Sequence, residues 1–392
     1  MNEMGLTSID VKKANRSRVY QNIYQRKTTS KLQIVQDLRL GLSTVTTNLT
    51  ILEEDGLISR EGFFASTGGR KAQAIQIRPD YRVSVGVGIL KGMYHVTVVD
   101  LYGDALCMET VQTPYRNTPE YYKQVADSVL QYVREKGYAD EQVLGVSIAT
   151  QGITSPDHKE VTYGNILKNT GMKAADFAAF LPWPCSLEHD SRSAAALELW
   201  NHPELDSAIV ILLNQNLGGA VITEHRIHQG TDMHSGTIEH ICVNQDGPLC
   251  YCGKRGCLET YCSADALKAS AGMSIKEFFA VLGRRKKEES GNAVIGADED
   301  TVRRAEQVWE DFLSHLAFAM RNLTMVVDAP FILSGYLTPY ITEEDIRFLS
   351  GKINAASPFP MEKDRILVGV HGESTPAIGA ALYYIRRFLK SV

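Results

Sequence analysis

Hydrophobic residues recur at helical spacing along the first part of the chain and predict three helices there. The first is expected between positions 11 and 25, with an apolar side formed by Val11, Ala14, Val19 and Ile23. The second is expected over positions 31–38, where Ser30 precedes the apolar run and can cap the helix. After a turn with its hinge at Gly41, Ser43 is expected to cap a third helix, whose buried stripe is Val45, Leu49 and Leu52.

Two short strands, LISRE and QAIQI, follow the third helix, and GFFASTGGRK between them would form a wing. This pattern is typical of a winged helix-turn-helix, which we assign to residues 1–80. Short polar side chains on the third helix suit base edges in a major groove, and the cations of the wing suit phosphates or a minor groove. The predicted DNA-contacting residues are therefore Ser43, Thr44, Thr47, Asn48, Arg70 and Lys71. A protein-binding adaptor is the alternative.

From position 81 onward, strands alternate with helices, which predicts an α/β body. One strand–helix series begins with VSVGVGIL and a second, similar series begins with AIVILLN, so two lobes with a cleft between them are expected. We assign residues 81–190 to the first lobe and residues 191–374 to the second. The final helix, residues 375–392, is expected to pack back onto the first lobe. A helix over about 300–327 has an apolar stripe that indicates core packing.

Charge separates the front of the 392-residue chain from its body. Residues 1–82 hold 13 Lys and Arg against 8 Asp and Glu, whereas the whole chain has a net charge of −5. A basic front on an acidic body fits a front segment that binds a polyanion. Because no apolar run is long enough for a membrane span and the N-terminus has no signal-peptide pattern, we expect a cytoplasmic protein without membrane association.

Five of the seven cysteines fall within one short stretch, and an odd number of cysteines in such a chain argues against a disulfide framework. Three thiols and one imidazole at compatible spacing predict a closed, structural zinc site, with the ligands His240, Cys250, Cys252 and Cys257. The alternative is a reduced cysteine cluster in a loop. Cys242 and Cys262 are expected to be small buried hydrophobic residues.

The winged helix with STGGRKA, the α/β body and the His…Cys-x-Cys-Gly-x-x-Gly-Cys-x-Glu element together resemble the ROK family of bacterial sugar-responsive repressors and sugar kinases. The resemblance implies the two-lobed fold of actin and hexokinase. It also implies that a sugar effector is contacted by His189, Asp190, His240 and Glu259. The family's Asn before the Asp is His189 here, and its Glu in the Gly-Glu-x-Gly-His segment is Thr237. Glu239 is expected to have an ionic partner outside the pocket.

The phosphate-binding segments of the family's kinases are altered in this chain. The first, Asp-x-Gly-Gly-Thr, corresponds to the acid-free run 88–92, and the second, Gly-Thr-Gly-x-Gly-Gly, corresponds to Asn-Gln-Asn-Leu-Gly-Gly at 214–219. The Gly-Gly near the adenosine site reads Ser-Gly at 334–335. Because phosphoryl transfer depends on glycine backbone and on acids that hold Mg²⁺, the resemblance implies a protein that does not turn over ATP.

These observations predict a transcriptional regulator, most simply a repressor of carbohydrate uptake or catabolism genes. It would bind an operator in double-stranded DNA as a homodimer or homotetramer and respond to a sugar or sugar phosphate between the lobes. A regulator controlled by a partner protein is the second hypothesis. An active sugar kinase with a DNA-binding segment is the third, and Asp190 would be its base.

Overall fold

The computed structural model describes residues 8–64, 71–283 and 298–392. Its N-terminal part, which we call the head, consists of three helices and a short hairpin: α1 (Ser8–Arg26), α2 (Lys31–Leu38), α3 (Leu42–Glu54), β1 (Ile58–Ser59) and β2 (Gln76–Ile77). Ser30 caps α2, as expected, by accepting a hydrogen bond from the Gln33 amide. The head therefore has the helix order and hairpin that the sequence predicted.

Two details of the turn between α2 and α3 differ from prediction. Helix α3 begins at Leu42 after Gly41, so Ser43 lies inside the first turn and does not cap the helix. The left-handed residue of the turn is Arg39, with φ of 53°, while Gly41 is extended. The hinge therefore falls two residues before the glycine that the sequence suggested.

The first lobe is built on a five-stranded sheet of order β5-β4-β3-β6-β9. Strands β3, β4 and β5 form an antiparallel meander, and β6 and β9 extend it in parallel. The elements of this lobe are β3 (Val83–Ile89), β4 (Tyr94–Val99), β5 (Ala105–Val111), α4 (Pro119–Glu135), β6 (Val143–Thr150), β7 (Ile153–Thr154), β8 (Val161–Tyr163), α5 (Ala174–Ala178) and β9 (Cys185–His189).

The second lobe repeats this arrangement with a five-stranded sheet of order β12-β11-β10-β13-β14. Again an antiparallel meander is extended by two parallel strands. Its strands are β10 (Ala208–Leu213), β11 (Leu217–Thr223), β12 (Arg226–Ile227), β13 (Phe331–Ser334) and β14 (Ile366–Val368). Its helices are α7 (Glu259–Cys262), α8 (Ala264–Ala271), α9 (Ile275–Val281), α10 (Glu299–Thr324) and α11 (Glu343–Ala356). The predicted stripe of α10 is buried in this lobe's core at Ala305, Trp309, Phe312, Leu316 and Met320.

Two helices occupy the centre of the body: α6 (Asp190–Asn201), which follows β9, and the C-terminal α12 (Thr375–Ser391). Helix α12 packs on β3 and β6 of the first sheet, while α6 packs on β10 and β11 of the second. The two helices approach so closely that a Cβ on Gly379 would collide with the Ser193 carbonyl oxygen. Their contact joins the lobes and places the first residue of α6 at the cleft.

The head and the body share one hydrophobic core. Apolar residues of α1 and α3 and residues of α12 belong to the same buried cluster, including Val19, Ile23, Leu49, Leu382, Ile385 and Leu389. Polar contacts reinforce it, because Gln21 Nε2 donates to the Leu389 carbonyl (2.6 Å) and Tyr24 Oη donates to the Leu101 carbonyl (2.9 Å). Helix α12 is therefore in direct packed contact with the head.

Within the described ranges, no helix combines the length and the apolar character needed to cross a membrane.

Candidate functional site

A cavity of about 390 Å³ lies in the cleft between the lobes. We call it the cleft cavity, and its volume falls in the usual range of small-molecule sites. Hydrogen bonds connect the two lobes beside it: Gln151 Nε2 donates to Asn216 Oδ1 (3.1 Å), and Asn165 Nδ2 donates to the Tyr251 carbonyl (3.2 Å). Because these contacts bridge the lobes, a ligand here would contact both sides.

Asp190 enters the cavity from the first residue of α6. Its Oδ1 accepts hydrogen bonds from the backbone amide (2.7 Å) and the hydroxyl (3.2 Å) of Ser191, and His189 Nε2 lies 3.4 Å from the same oxygen. Burial raises the pKa of Asp190 to about 6 and lowers that of His189 to about 3. The structure thus places the neutral imidazole of His189 and the carboxyl group of Asp190 together in the cleft, the location that the family resemblance implied for both residues.

Glu239 also lines the cleft cavity, and here our expectation of an ionic partner outside the pocket was wrong. Its side chain is 7% exposed, and Oε2 has no hydrogen-bond partner within the described part of the chain. Burial, followed by repulsion from Asp190 and Glu259, raises the pKa of Glu239 to about 8. An unpartnered buried carboxyl group is costly unless a ligand hydrogen-bonds to it, so Glu239 is a candidate ligand contact.

Glu259 lies behind the cavity wall and is not among the residues that line it. One carboxylate oxygen accepts from Asn216 Nδ2 (2.7 Å) and the other from the Leu217 amide (2.6 Å). Burial raises its pKa to about 7. Glu259 therefore holds the loop that presents Asn216 to the cavity and to Gln151 of the first lobe.

Four predicted metal ligands come together at one side of the cavity. The ligand atoms of His240, Cys250, Cys252 and Cys257 all lie within 4.8 Å of one another. Cys252 Sγ lies 3.7 Å from Cys257 Sγ, and Cys250 Sγ lies 3.8 Å from His240 Nδ1. Zn–S bonds of about 2.3 Å in a tetrahedron place two sulfurs about 3.8 Å apart, so the donor set and its spacing fit a closed metal site.

Left-handed glycines shape the loop that carries these cysteines. Gly256 has φ of 68°, and a Cβ there would collide with the Asn244 carbonyl oxygen, while Gly253 closes the turn with φ of 82°. The Cys250 amide donates to the Lys254 carbonyl (2.8 Å), which returns the chain toward Cys257. Cys262 is fully buried as expected, but Cys242 is exposed, which corrects the prediction that it is a buried hydrophobic residue.

The predicted DNA-contacting residues of α3 do not all share an exposed face. Ser43 and Thr47 are exposed and Thr44 is half-buried, whereas Asn48 is only 7% exposed and its Nδ2 donates to the Thr44 carbonyl (2.9 Å). Asn48 lies beside the buried stripe, since positions 45, 48, 49 and 52 fall on one side of a helix. Lys71 is exposed at the base of the wing, and Arg70 lies outside the described residues.

A family model described as the ROK family matches residues 83–387, which is most of the body. The chain belongs to the ROK family. This confirms the resemblance drawn from the winged helix, the α/β body and the metal-binding element. The family match covers both sheets, the central helices and the cleft cavity.

Two related proteins are named as regulators. The chain is 28% identical over 262 residues to the DNA-binding transcriptional dual regulator NagC of Escherichia coli strain K12, over 66% of this chain and 64% of NagC. It thus aligns with less than two thirds of the length of NagC. It is 24% identical over 270 residues to the xylose repressor of Bacillus subtilis strain 168, over 66% of this chain and 68% of that protein.

Solved structures of ROK proteins share the fold. A ROK family transcriptional regulator, described as a homologue of the E. coli MLC protein, superposes with a TM-score of 0.71 at 16% identity and covers 97% of both chains. A ROK family glucokinase from Streptomyces griseus, solved with glucose and AMPPNP, superposes with a TM-score of 0.59 at 21% identity over 77% of this chain and 98% of that one. The two-lobed α/β body is therefore common to regulators and kinases of the family.

The altered kinase segments have structural roles in this chain. The turn between β10 and β11 is hydrogen-bonded to the segment just before α12, where Gln215 Nε2 donates to Glu373 Oε1 (3.4 Å). Ser334 donates from its hydroxyl to Glu198 Oε1 on α6 (2.5 Å).

Proposed function

We propose that the protein is a DNA-binding transcriptional regulator that represses carbohydrate uptake or catabolism genes and is controlled by a sugar in the cleft cavity. The observation that carries this proposal is the hydrophobic core shared by the winged-helix head and helix α12 of the two-lobed body. A ligand that favours one lobe arrangement shifts α12 and α6 together and so shifts the head. The names of NagC and the xylose repressor support the same function.

The effector that fits the cleft cavity is an uncharged sugar. Asp190 and Glu239 supply acceptors for hydroxyl hydrogens, and His189 and His240 supply ring nitrogens. Within the described lining there is no Lys or Arg to pair with a phosphate, and the carboxylate of Asp190 would repel one. The cleft cavity therefore favours an uncharged sugar over a sugar phosphate, the two effector classes that the sequence left open. Glu259 would not contact the sugar itself but would hold Asn216 in place beside it.

The operator-binding surface is proposed to be the exposed side of α3 together with the wing. Ser43, Thr44 and Thr47 would address base edges, while Arg70 and Lys71 would contact the phosphate backbone. Asn48 is left out of this surface because its amide is used inside the helix. Two heads in a homodimer would bind two half-sites about one helical turn apart, which light scattering and operator mapping can measure.

The four clustered side chains are proposed to bind one structural zinc ion. His240 would ligate through Nδ1, the atom that lies near Cys250 Sγ, and its Nε2 would remain for the ligand in the cleft cavity. With four protein ligands the ion stabilises the fold and activates no water.

We also infer that the protein does not turn over ATP, since the acid-free turn at 88–92 offers no carboxylate for Mg²⁺.

The test selects the operator from a pool of random duplexes and then measures its affinity by fluorescence anisotropy with glucose, xylose, N-acetylglucosamine and their phosphates. At least one uncharged sugar should weaken operator binding tenfold or more. Glu239→Gln should reduce that response, whereas Glu224→Gln, an exposed glutamate on the β11–β12 turn, should retain it. No response to any sugar would overturn control by a sugar and favour a partner protein. Sugar-dependent ATP turnover that Asp190→Asn abolishes would overturn the non-enzymatic assignment.

A further inference from the structure

A second, larger cavity of about 1180 Å³ lies where the head meets the body. It is a groove bordered by α1, α6 and α12, and none of the residues that line the cleft cavity lines it. We call it the junction groove. None of the residues proposed to contact the sugar or the operator lines it.

The junction groove is strongly basic, although the body as a whole is acidic. Two carboxylates line it, Asp104 and Glu188. They face six cationic side chains: Lys27, Arg192, Arg226, Arg386, Arg387 and Lys390. Clefts lined by one sign of charge concentrate small ions of the opposite sign.

Arg192 is the buried cation of this groove. Its side chain is 7% exposed, and its Nη2 donates to the Met233 carbonyl oxygen. Its Nε and Nη1 have no hydrogen-bond partner within the described part of the chain. Buried guanidinium groups are normally fully hydrogen-bonded or paired, so two open donors in a cavity wall indicate a missing acceptor.

Glu188 offsets the charge of Arg192 only in part, because it is shared with other cations. Its Oε1 lies 2.8 Å from His158 Nδ1, and this contact raises the pKa of His158. Arg386, whose Nη2 donates to the Ala196 carbonyl (2.7 Å), also lies in the field of Glu188. One carboxylate therefore serves two guanidinium groups and one imidazole, which leaves an excess of positive charge at the base of the groove.

Aromatic side chains line the groove beside these cations. Arg387 lies over the ring of Tyr383 (5.5 Å) and Lys27 over the ring of Tyr102 (5.7 Å), while Trp200 packs beside Arg386 (5.6 Å). Guanidinium forks match phosphate oxygens, and aromatic faces pack against the organic part of a ligand. The groove thus combines cations at its floor, which suit an anionic group, with aromatic walls that suit the organic part of a ligand.

We propose that the junction groove binds a small phosphorylated organic molecule, with its phosphate on Arg192 and its organic part between the aromatic walls. Because α1 belongs to the head and α6 and α12 to the body, this ligand touches both parts at their junction. It is a ligand separate from the sugar of the cleft cavity, and its binding can be measured whether or not the protein responds to a sugar.

The test titrates the full-length protein by calorimetry with glucose 6-phosphate, adenosine monophosphate, inorganic phosphate, citrate and unphosphorylated glucose. At least one phosphate ester should bind saturably and at least tenfold more tightly than inorganic phosphate or citrate. Arg192→Gln and the exposed-rim variant Arg387→Gln should each weaken that binding tenfold or more. Arg134→Gln, an exposed arginine on α4, and Asp190→Asn in the cleft cavity should leave it unchanged. Thermal melting checks that each variant is folded.

Three results would overturn the proposal. The first is the absence of saturable binding by every phosphate ester. The second is binding of inorganic phosphate as tight as that of the esters, which would make the groove a site for an adventitious ion only. The third is ester binding that survives Arg387→Gln but is lost in Asp190→Asn, which would place the ligand in the cleft cavity.

Discussion

Replacing Ile385 with alanine should weaken the coupling between the body and the head. Ile385 lies on α12, is fully buried and belongs to the core cluster that includes the apolar face of α1. Removing most of a buried isoleucine side chain from a close-packed core costs about 2–5 kcal/mol of unfolding free energy, including the cavity left behind. A cavity at this position loosens the packing through which α12 would move the head.

The matched control is Ile353→Ala. Ile353 is also helical and only 1% exposed, but it lies on α11 in the second-lobe core, away from the head. Denaturant unfolding should show a similar loss of stability in both variants. Fluorescence anisotropy should show that the effect of the sugar on operator affinity falls severalfold in Ile385→Ala and persists in Ile353→Ala. Equal coupling in the two variants, at equal loss of stability, would refute transmission through the shared core.

Three further predictions follow from the site and the fold. We expect the wild type to bind about one zinc ion per chain and Cys257→Ser to lose it and melt several degrees lower, because ion binding contributes directly to folding. The control Cys242→Ser replaces an exposed cysteine and should retain zinc in mass spectrometry. A wild type that melts at the same temperature without zinc would contradict the assignment. Thr47→Ala should weaken operator binding by about 1–2 kcal/mol with little change for random DNA, whereas Thr50→Ala near the end of α3 should have a smaller effect in the same anisotropy assay. Burial raises the pKa of Asp100 to about 6, so the folded state holds this proton more tightly than the unfolded state does. The free energy of unfolding should therefore fall as pH rises from 4 to 6. In denaturant titrations at a series of pH values, Asp100→Asn should remove this contribution to the pH dependence.

Features that depend on neighbours along the chain were predictable from the sequence. The helical spacing and the cap at Ser30 located α2, and the close spacing of Cys250, Cys252 and Cys257 brought the metal ligands together. The long apolar stripe located α10 to within a few residues. Each of these rests on local geometry that the order of residues determines.

Features that depend on long-range packing were not predictable in the same way. Glu239 lies in a single 3₁₀ turn at 238–240 and faces the cleft, and no local sequence pattern distinguishes this orientation from an outward one. Glu259 accepts a hydrogen bond from Asn216, which is distant in the sequence. The burial of Asn48 is different, since its position between Val45 and Leu49 on the helix already placed it at the edge of the buried stripe.

The central claim is that sugar binding and operator binding are thermodynamically linked through the shared core. Linkage requires that the factor by which the sugar weakens operator binding equals the factor by which the operator weakens sugar binding. Titration calorimetry of the active sugar onto the free protein and onto its operator complex measures this directly. The account predicts at least a tenfold weaker sugar affinity in the complex, and equal affinities in the two titrations would contradict it.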